Sequence, residues 1–158
     1  MAMSDISEIF NFVQLTDRVG TAGQPTREQF ADISAAGYAA VINLAMHDSD
    51  NAIADEGGVV SSNGMRYLHL PIDFSAPTAD DARLFIDIMR ALAPRKVFVH
   101  CAMNLRVSAF MYLYLHHACG VSEEQARSPI LAKWEPRMDQ VWRDFLSLSA
   151  QEVGALEV

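Results

Sequence analysis

At 158 residues with 51% hydrophobic side chains, the chain is long enough to bury one substantial core and short for two, so a single domain over residues 1–158 is expected. Twelve Lys and Arg against twenty Asp and Glu leave a formal charge of -8, which opposes the broad attraction that nucleic acids and anionic membranes require. An anionic substrate therefore needs a local positive site.

Turn signals recur every ten to twenty residues, as they do when strands alternate with helices, so the fold class is α/β. "FVQL" and "VGTAG" read as short strands around Thr16-Asp17-Arg18. In "PTREQFADISAAGY" Thr26 can cap a helix with Gln29 at the capping-box position, and Gly37 stops it. "AAVINLA" is a buried strand; the polar "HDSDNAIADEGGVVSSNG" is a loop with a weak helix; "RYLHLPI" is a strand ending near Pro71. Thr78 caps the next helix, whose Phe85, Ile88, Met89 and Leu92 share one face. "KVFVH" suits the centre of a parallel sheet, and "RVSAFMYLYLHHACG" is a helix apolar nearly all round, stopped at Gly120. Ser122 and Gln125 mark another helix start, Pro129 interrupts it, and Pro136 opens a last helix carrying Met138, Val141, Trp142 and Phe145. The expected architecture is a central, mostly parallel sheet flanked by helices.

In such sheets ligands bind beyond the carboxyl ends of the strands, and the turn after "KVFVH" leads straight into a helix amino terminus. Free N–H groups and the helix dipole make that turn an anion cradle. Cys101 stands at its mouth, where such a field favours the thiolate and so a nucleophile. Arg106 lies in apolar surroundings, where a guanidinium is costly unless it holds an anion; it can clamp two oxygens of a tetrahedral one. Ser108, one turn further, can hydrogen-bond the sulfur. A lone Cys at a strand end is usually structural, so the argument rests on Cys, Arg and turn together.

With these residues in view, "VHCAMNLRVS" resembles the His-Cys-x5-Arg-Ser/Thr signature of cysteine-dependent protein tyrosine and dual-specificity phosphatases. "TAGQPTREQFADISAAGYAAVINL" is similar to the start of a bacterial phosphatase-like domain family, first catalogued as of unknown function. The resemblance runs from about Phe12 to Phe145 and implies a protein tyrosine phosphatase-like fold and metal-independent hydrolysis without a cofactor. It makes Cys101 the nucleophile and Arg106 the phosphate binder, within a phosphate-binding loop of His100, Cys101, Ala102, Met103, Asn104, Leu105, Arg106 and Ser108. It also implies an acid on an earlier loop. Asp73, just past a strand end in "LPIDFSAP", fits that place, while Asp80 and Asp81 suit the first turn of the following helix.

One departure stands out: four residues separate Cys101 from Arg106, and Asn104 replaces the motif's Gly. Asn adopts positive φ more readily than other non-glycine residues. Either the loop keeps its length and Arg106 is rotated by about 100° on the helix, or the loop is shorter and the cradle tighter. The spacing leaves three functions open: a phosphatase acting on a phosphorylated protein or small molecule, a rhodanese-like sulfurtransferase, and a phosphate-binding module without turnover.

Other features carry less. Cys101 and Cys119 suggest neither a disulfide framework nor a metal site, so reduced thiols and a cytoplasmic location are expected. "MAMSDISEIF" lacks a signal-peptide pattern, although a leader removed earlier is compatible with it. His116 and His117 point about 100° apart on one helix and suit capping of its end. "MHDSD" suits a solvated loop, and Trp134 and Trp142 suit packing of the final helix.

Overall fold

In the computed structural model, which describes residues 5–156, the apolar runs pair into one five-stranded sheet. Its strands are β1 (Val13–Gln14), β2 (Val19–Ala22), β3 (Ala40–Asn43), β4 (Arg66–His69) and β5 (Val97–His100), in the spatial order β1-β2-β5-β3-β4. The β1–β2 pair is antiparallel and the others are parallel. All four residues of β5 are buried, as a continuous apolar run between two parallel neighbours requires. His100 pairs in register with Ala22 on one side and Asn43 on the other. Three strands therefore end level, and the turns that leave them share one edge of the sheet.

The described chain divides into two compact units: residues up to Pro71 with Pro94–Val107, and Ile72–Ala93 with Ser108 onward. The first unit holds the whole sheet with α1 (Gln29–Ala35) and α2 (Glu56–Ser62). Thr26 and Gln29 form the expected reciprocal bonds, Gln29 N donating to Thr26 Oγ1 at 3.2 Å and Thr26 N to Gln29 Oε1 at 2.8 Å. They close the turn before α1, which Gly37 stops at φ 95°. Apolar side chains of α1, α2 and the sheet, among them Phe30, Ile33, Val41, Val60 and Phe98, form its core.

The second unit contains α3 (Ala79–Leu92), most of α4 (Leu105–Leu113), α5 (Glu123–Ala126), α6 (Pro129–Trp134) and α7 (Gln140–Leu146). Thr78 and Asp81 form a full capping box at the start of α3. Two proline readings are corrected. Pro129 begins α6 at its first turn, behind the Ser128 cap, because its missing N–H is no loss there. Pro136 sits in a 3-10 turn, Glu135–Arg137, and the last helix starts later at an Asp139 cap whose side chain accepts from Trp142 N. The helix after Cys101 ends in a π turn, Tyr114–Ala118. There His116 Nδ1 meets Val121 O at 2.8 Å and His117 Nε2 meets Leu148 O at 2.9 Å.

An aromatic cluster fills this unit: Trp142 packs against Phe74, Trp134 and Phe145, and Phe110 lies 4.6 Å from Phe145 between ring centroids. Trp142 is fully buried, and its Nε1 donates to Phe74 O at 2.8 Å, the partner a buried indole needs. Among the described residues, no helix is long and apolar enough to cross a membrane.

Candidate active site

Between the end of β5 and the start of α4 lie only Cys101, Ala102, Met103 and Asn104. Cys101 is buried, and its N–H continues the sheet by donating to Ala22 O at 3.3 Å. The next three carbonyls each have a side-chain or backbone partner outside the Cys101–Asn104 turn. Cys101 O meets His100 Nδ1 at 3.3 Å. Ala102 O accepts from Gln24 N at 3.1 Å and from Asn51 Nδ2 at 3.0 Å, and Met103 O accepts from Asn11 Nδ2 at 3.0 Å. In a trans peptide the N–H points opposite the carbonyl. The N–H groups of Ala102, Met103 and Asn104 are therefore turned away from these anchors, as an anion-binding nest needs.

Asn104 completes the turn at φ 69°, the left-handed conformation expected where the motif has Gly. Its side chain is buried and does what Gly cannot: Nδ2 donates to Asn11 O at 2.8 Å and to Thr21 Oγ1 at 3.2 Å. Thr21 Oγ1 in turn donates to Val13 O at 3.0 Å, so the loop is tied to both β1 and β2. Asn11 thus accepts from Asn104 Nδ2 through its carbonyl and donates to Met103 O through its side chain, joining the loop to the segment before β1. Close approach here demands Gly23. A Cβ on it would stand 2.8 Å from Ala102 O and 2.6 Å from the Phe10 ring.

Arg106 occupies the first turn of α4 and is 7% exposed. A cation at that end opposes the helix dipole, and burial adds to its cost.

Behind the loop lies a buried polar pair. His100, 0% exposed, brings Nε2 to within 2.7 Å of Glu56 Oε2, and Gln24 Nε2 donates to Glu56 Oε1 at 2.7 Å. Burial pushes the Glu56 carboxyl up, but the hydrogen bond and charge of His100, joined by Gln24 and Tyr67, outweigh it and hold the group below its ordinary range. Burial also pushes the Tyr67 phenol up to about 12, against the hydrogen bond from Asn43 and with the nearby Glu56 charge. Tyr67 therefore stays protonated.

The model of the family described as "DSP-PTPase phosphatase fused to NAD+ Kinase" matches residues 11–140. The chain belongs to this dual-specificity phosphatase family. No curated protein matches. Among solved structures, a phosphatase-like protein of the DUF442 group from Shewanella putrefaciens CN-32 is 30% identical, covering 95% of each chain at a TM-score of 0.82. Tk-PTP in its active form is 20% identical, with 86% of this chain and 93% of that chain covered at a TM-score of 0.68. TpbA of P. aeruginosa, solved with pTyr, is 17% identical, with 78% and 72% covered at a TM-score of 0.61. The last two share the fold: an α/β protein tyrosine phosphatase-like domain with a mostly parallel sheet.

In this phosphatase-family loop the structure brings His100, Cys101, Ala102, Met103, Asn104, Leu105 and Arg106 together in the first unit. Asp73 and Ser108 belong to the second. There Ser108 is buried on α4, and Asp73 holds an exposed turn in which its Oδ1 accepts from Ser75 N at 2.9 Å and from Ser75 Oγ at 2.7 Å. Asp81 serves the α3 capping box, as its position suggests. His47 and Asp48 are part of the polar stretch after β3.

Sequence reasoning missed Glu56, Asn51 and Asn11 and gave Gln24 no role. Glu56 and Asn51 lie in the segment read as loop with weak helix. The Gly pair after Glu56 hid the start of α2, since Gly is a poor helix former. Among the described residues, no group of three or more His, Cys, Asp or Glu is placed to hold a metal ion.

Proposed function

We propose that this chain hydrolyses phosphomonoesters through a phosphocysteine intermediate. The observation that supports this best is the outward anchoring of the Cys101, Ala102 and Met103 carbonyls, which leaves the opposite N–H groups for phosphate oxygens. Arg106 binds two of the non-reacting oxygens and offsets charge in the transition state. The Cys101 sulfur attacks phosphorus; the S–P bond forms as the P–O ester bond breaks, and Asp73 gives its proton to the leaving oxygen. In the second step Asp73 takes a proton from water, the water oxygen attacks phosphorus, and the S–P bond breaks to release phosphate and the thiolate. The substrate class is a phosphorylated protein or small molecule, acted on in the cytoplasm by one domain spanning both units.

The test is release of product from a generic aryl phosphate, under reducing conditions and without added metal. Turnover by the wild type, lost in Cys101→Ser, supports cysteine phosphatase chemistry. Arg106→Ala is expected to lower phosphate affinity and turnover together; an unchanged affinity would sink the anion cradle.

A second reading has one observation in its favour: the four-residue spacing between Cys101 and Arg106, one short of the phosphatase signature. It predicts phosphate binding that survives Cys101→Ser, is lost in Arg106→Ala, and never yields product. The rhodanese-like alternative predicts sulfur transfer from thiosulfate to cyanide, also lost in Cys101→Ser.

A further inference from the structure

The phosphatase reading leaves one buried ionisable group without a task. Glu56 is 7% exposed at the first residue of α2. Its carboxylate is shared between His100 Nε2 and Gln24 Nε2, each at 2.7 Å. The other His100 nitrogen faces Cys101 O at 3.3 Å. Both ring nitrogens therefore meet oxygen acceptors, and a carbonyl or an ionised carboxylate can only accept. Both bonds can exist together only when the ring carries a proton on each nitrogen.

An isolated imidazolium this deep would be expensive, and an ionised partner is what offsets it. We propose that Glu56 is a positioning residue: it holds His100 doubly protonated, so that Nδ1–H fixes the Cys101 carbonyl and a positive charge stands behind the nucleophile. This rests on the reading of Cys101 as nucleophile, and it assigns Glu56 a part in that site. Gln24 gives Glu56 a further hydrogen bond, while its backbone N–H holds Ala102 O at 3.1 Å. One residue thus braces both the pair and the loop.

The other groups around Glu56 are few. Tyr67 lies beside it from β4 and stays neutral, its phenol pushed up to about 12. Asp55, His47 and His69 line, with Glu56, a cavity of about 360 Å³ in the same unit. They are the groups whose charge can modulate the pair, whereas His100 and Gln24 touch it directly.

The test uses the full chain carrying Cys119→Ser, so that Cys101 is the remaining thiol. Its alkylation by iodoacetamide, in which the thiolate displaces iodide, is followed at a mildly acidic pH, alongside aryl phosphate turnover across pH. Glu56→Gln is expected to slow alkylation about tenfold, because the thiolate is the species that reacts, and to move the acid limb of kcat/KM to higher pH. Glu56→Asp is expected to recover part of both. The double variant Glu56→Gln with His100→Gln replaces the charged pair by two amides that can still hydrogen-bond. It is expected to recover thermal stability without recovering alkylation.

Alkylation unchanged in a folded Glu56→Gln variant, or restored in the double variant, would overturn the proposal, since either result makes the pair a structural brace only. If neither the wild type nor any variant hydrolyses the aryl phosphate but alkylation still falls with Glu56→Gln, the phosphatase reading fails and the coupling of Glu56 to Cys101 stands.

Discussion

The candidate site in the first unit and the centre of the second are held by different kinds of interaction. In the first, order around the site is polar: a buried carboxylate–imidazole pair, and backbone carbonyls that accept from the side-chain amides of Asn11, Asn51 and Asn104. In the second, the centre is a set of stacked and edge-on rings around Trp142. Rings tolerate small shifts because their attraction is spread over many weak contacts. Hydrogen bonds do not, because an unmet buried donor or acceptor carries the full penalty. A loop that must present several N–H groups in fixed directions is better served by hydrogen bonds, and they are the constraint found around Cys101.

Two substitutions of similar size should separate the two modes. Trp142→Ala removes a fully buried ring and should cost about 3–5 kcal/mol. Glu56→Ala leaves His100 buried without its anion and should cost about the same, roughly 3–5 kcal/mol. They should differ in pH dependence. The folded Glu56 carboxyl titrates below its ordinary value of 4.5. Its contribution is therefore fully present above that value and is lost as the pH falls through the lower folded value. Chemical denaturation at several pH values should show the difference between wild type and Glu56→Ala shrinking on acidification below 4.5, while the difference for Trp142→Ala stays nearly level. A pH-independent penalty for Glu56→Ala would mean that the pair acts through shape alone.

A smaller effect is expected at Asn104. Gly there keeps the positive φ but deletes the bonds to Asn11 O and Thr21 Oγ1, leaving the hydroxyl and the carbonyl short of a donor. The expected loss is about 1–3 kcal/mol, with a larger fractional fall in phosphate affinity than in melting temperature, because the loop loosens before the sheet does. Asn104→Asp should be worse than Gly, since a carboxylate has no proton to give Asn11 O. Comparing phosphate binding by calorimetry with thermal melts for both variants checks the order.

The same physics decides which of these features a sequence can announce. Strands and amphipathic helices declare themselves through periodic apolar residues, so β5 and α3 were readable, as was the αL turn at Asn104, where backbone conformation selects the residue type. Cys101 and Arg106 stood out as candidates because a Cys and an Arg bracketing a strand-to-helix turn form a local pattern. Glu56 was not, because its partner His100 is 44 positions away and a polar segment gives no sign of which member is buried. The same holds for Asn11, 92 positions from Met103. The misplaced starts of α6 and α7 have a local cause: Pro suits both a first helical turn and a 3-10 turn, and the caps Ser128 and Asp139 decide between them.

The smallest effect tests whether burial, and not the presence of opposite charges, sets the worth of an ion pair. In the second unit Arg127 Nε lies 2.7 Å from Glu135 Oε1, the same length as the Glu56–His100 contact, but the two side chains are 30% and 29% exposed. Arg127 also lies over the Tyr112 ring and donates to Glu123 O at 3.0 Å. Solvent screens such a pair, and holding two long side chains in one geometry costs entropy, so Glu135→Gln should cost no more than about 1 kcal/mol. Added salt should reduce that cost further, whereas the buried pair should respond little to salt, since ions do not reach between Glu56 and His100. Equal losses for Glu135→Gln and Glu56→Gln in denaturation at the same pH would remove the distinction between the two units, because geometry alone would then fix the energy. A ratio of several-fold would place it in desolvation, which is also what lets one carboxylate fix the charge of the imidazole next to Cys101.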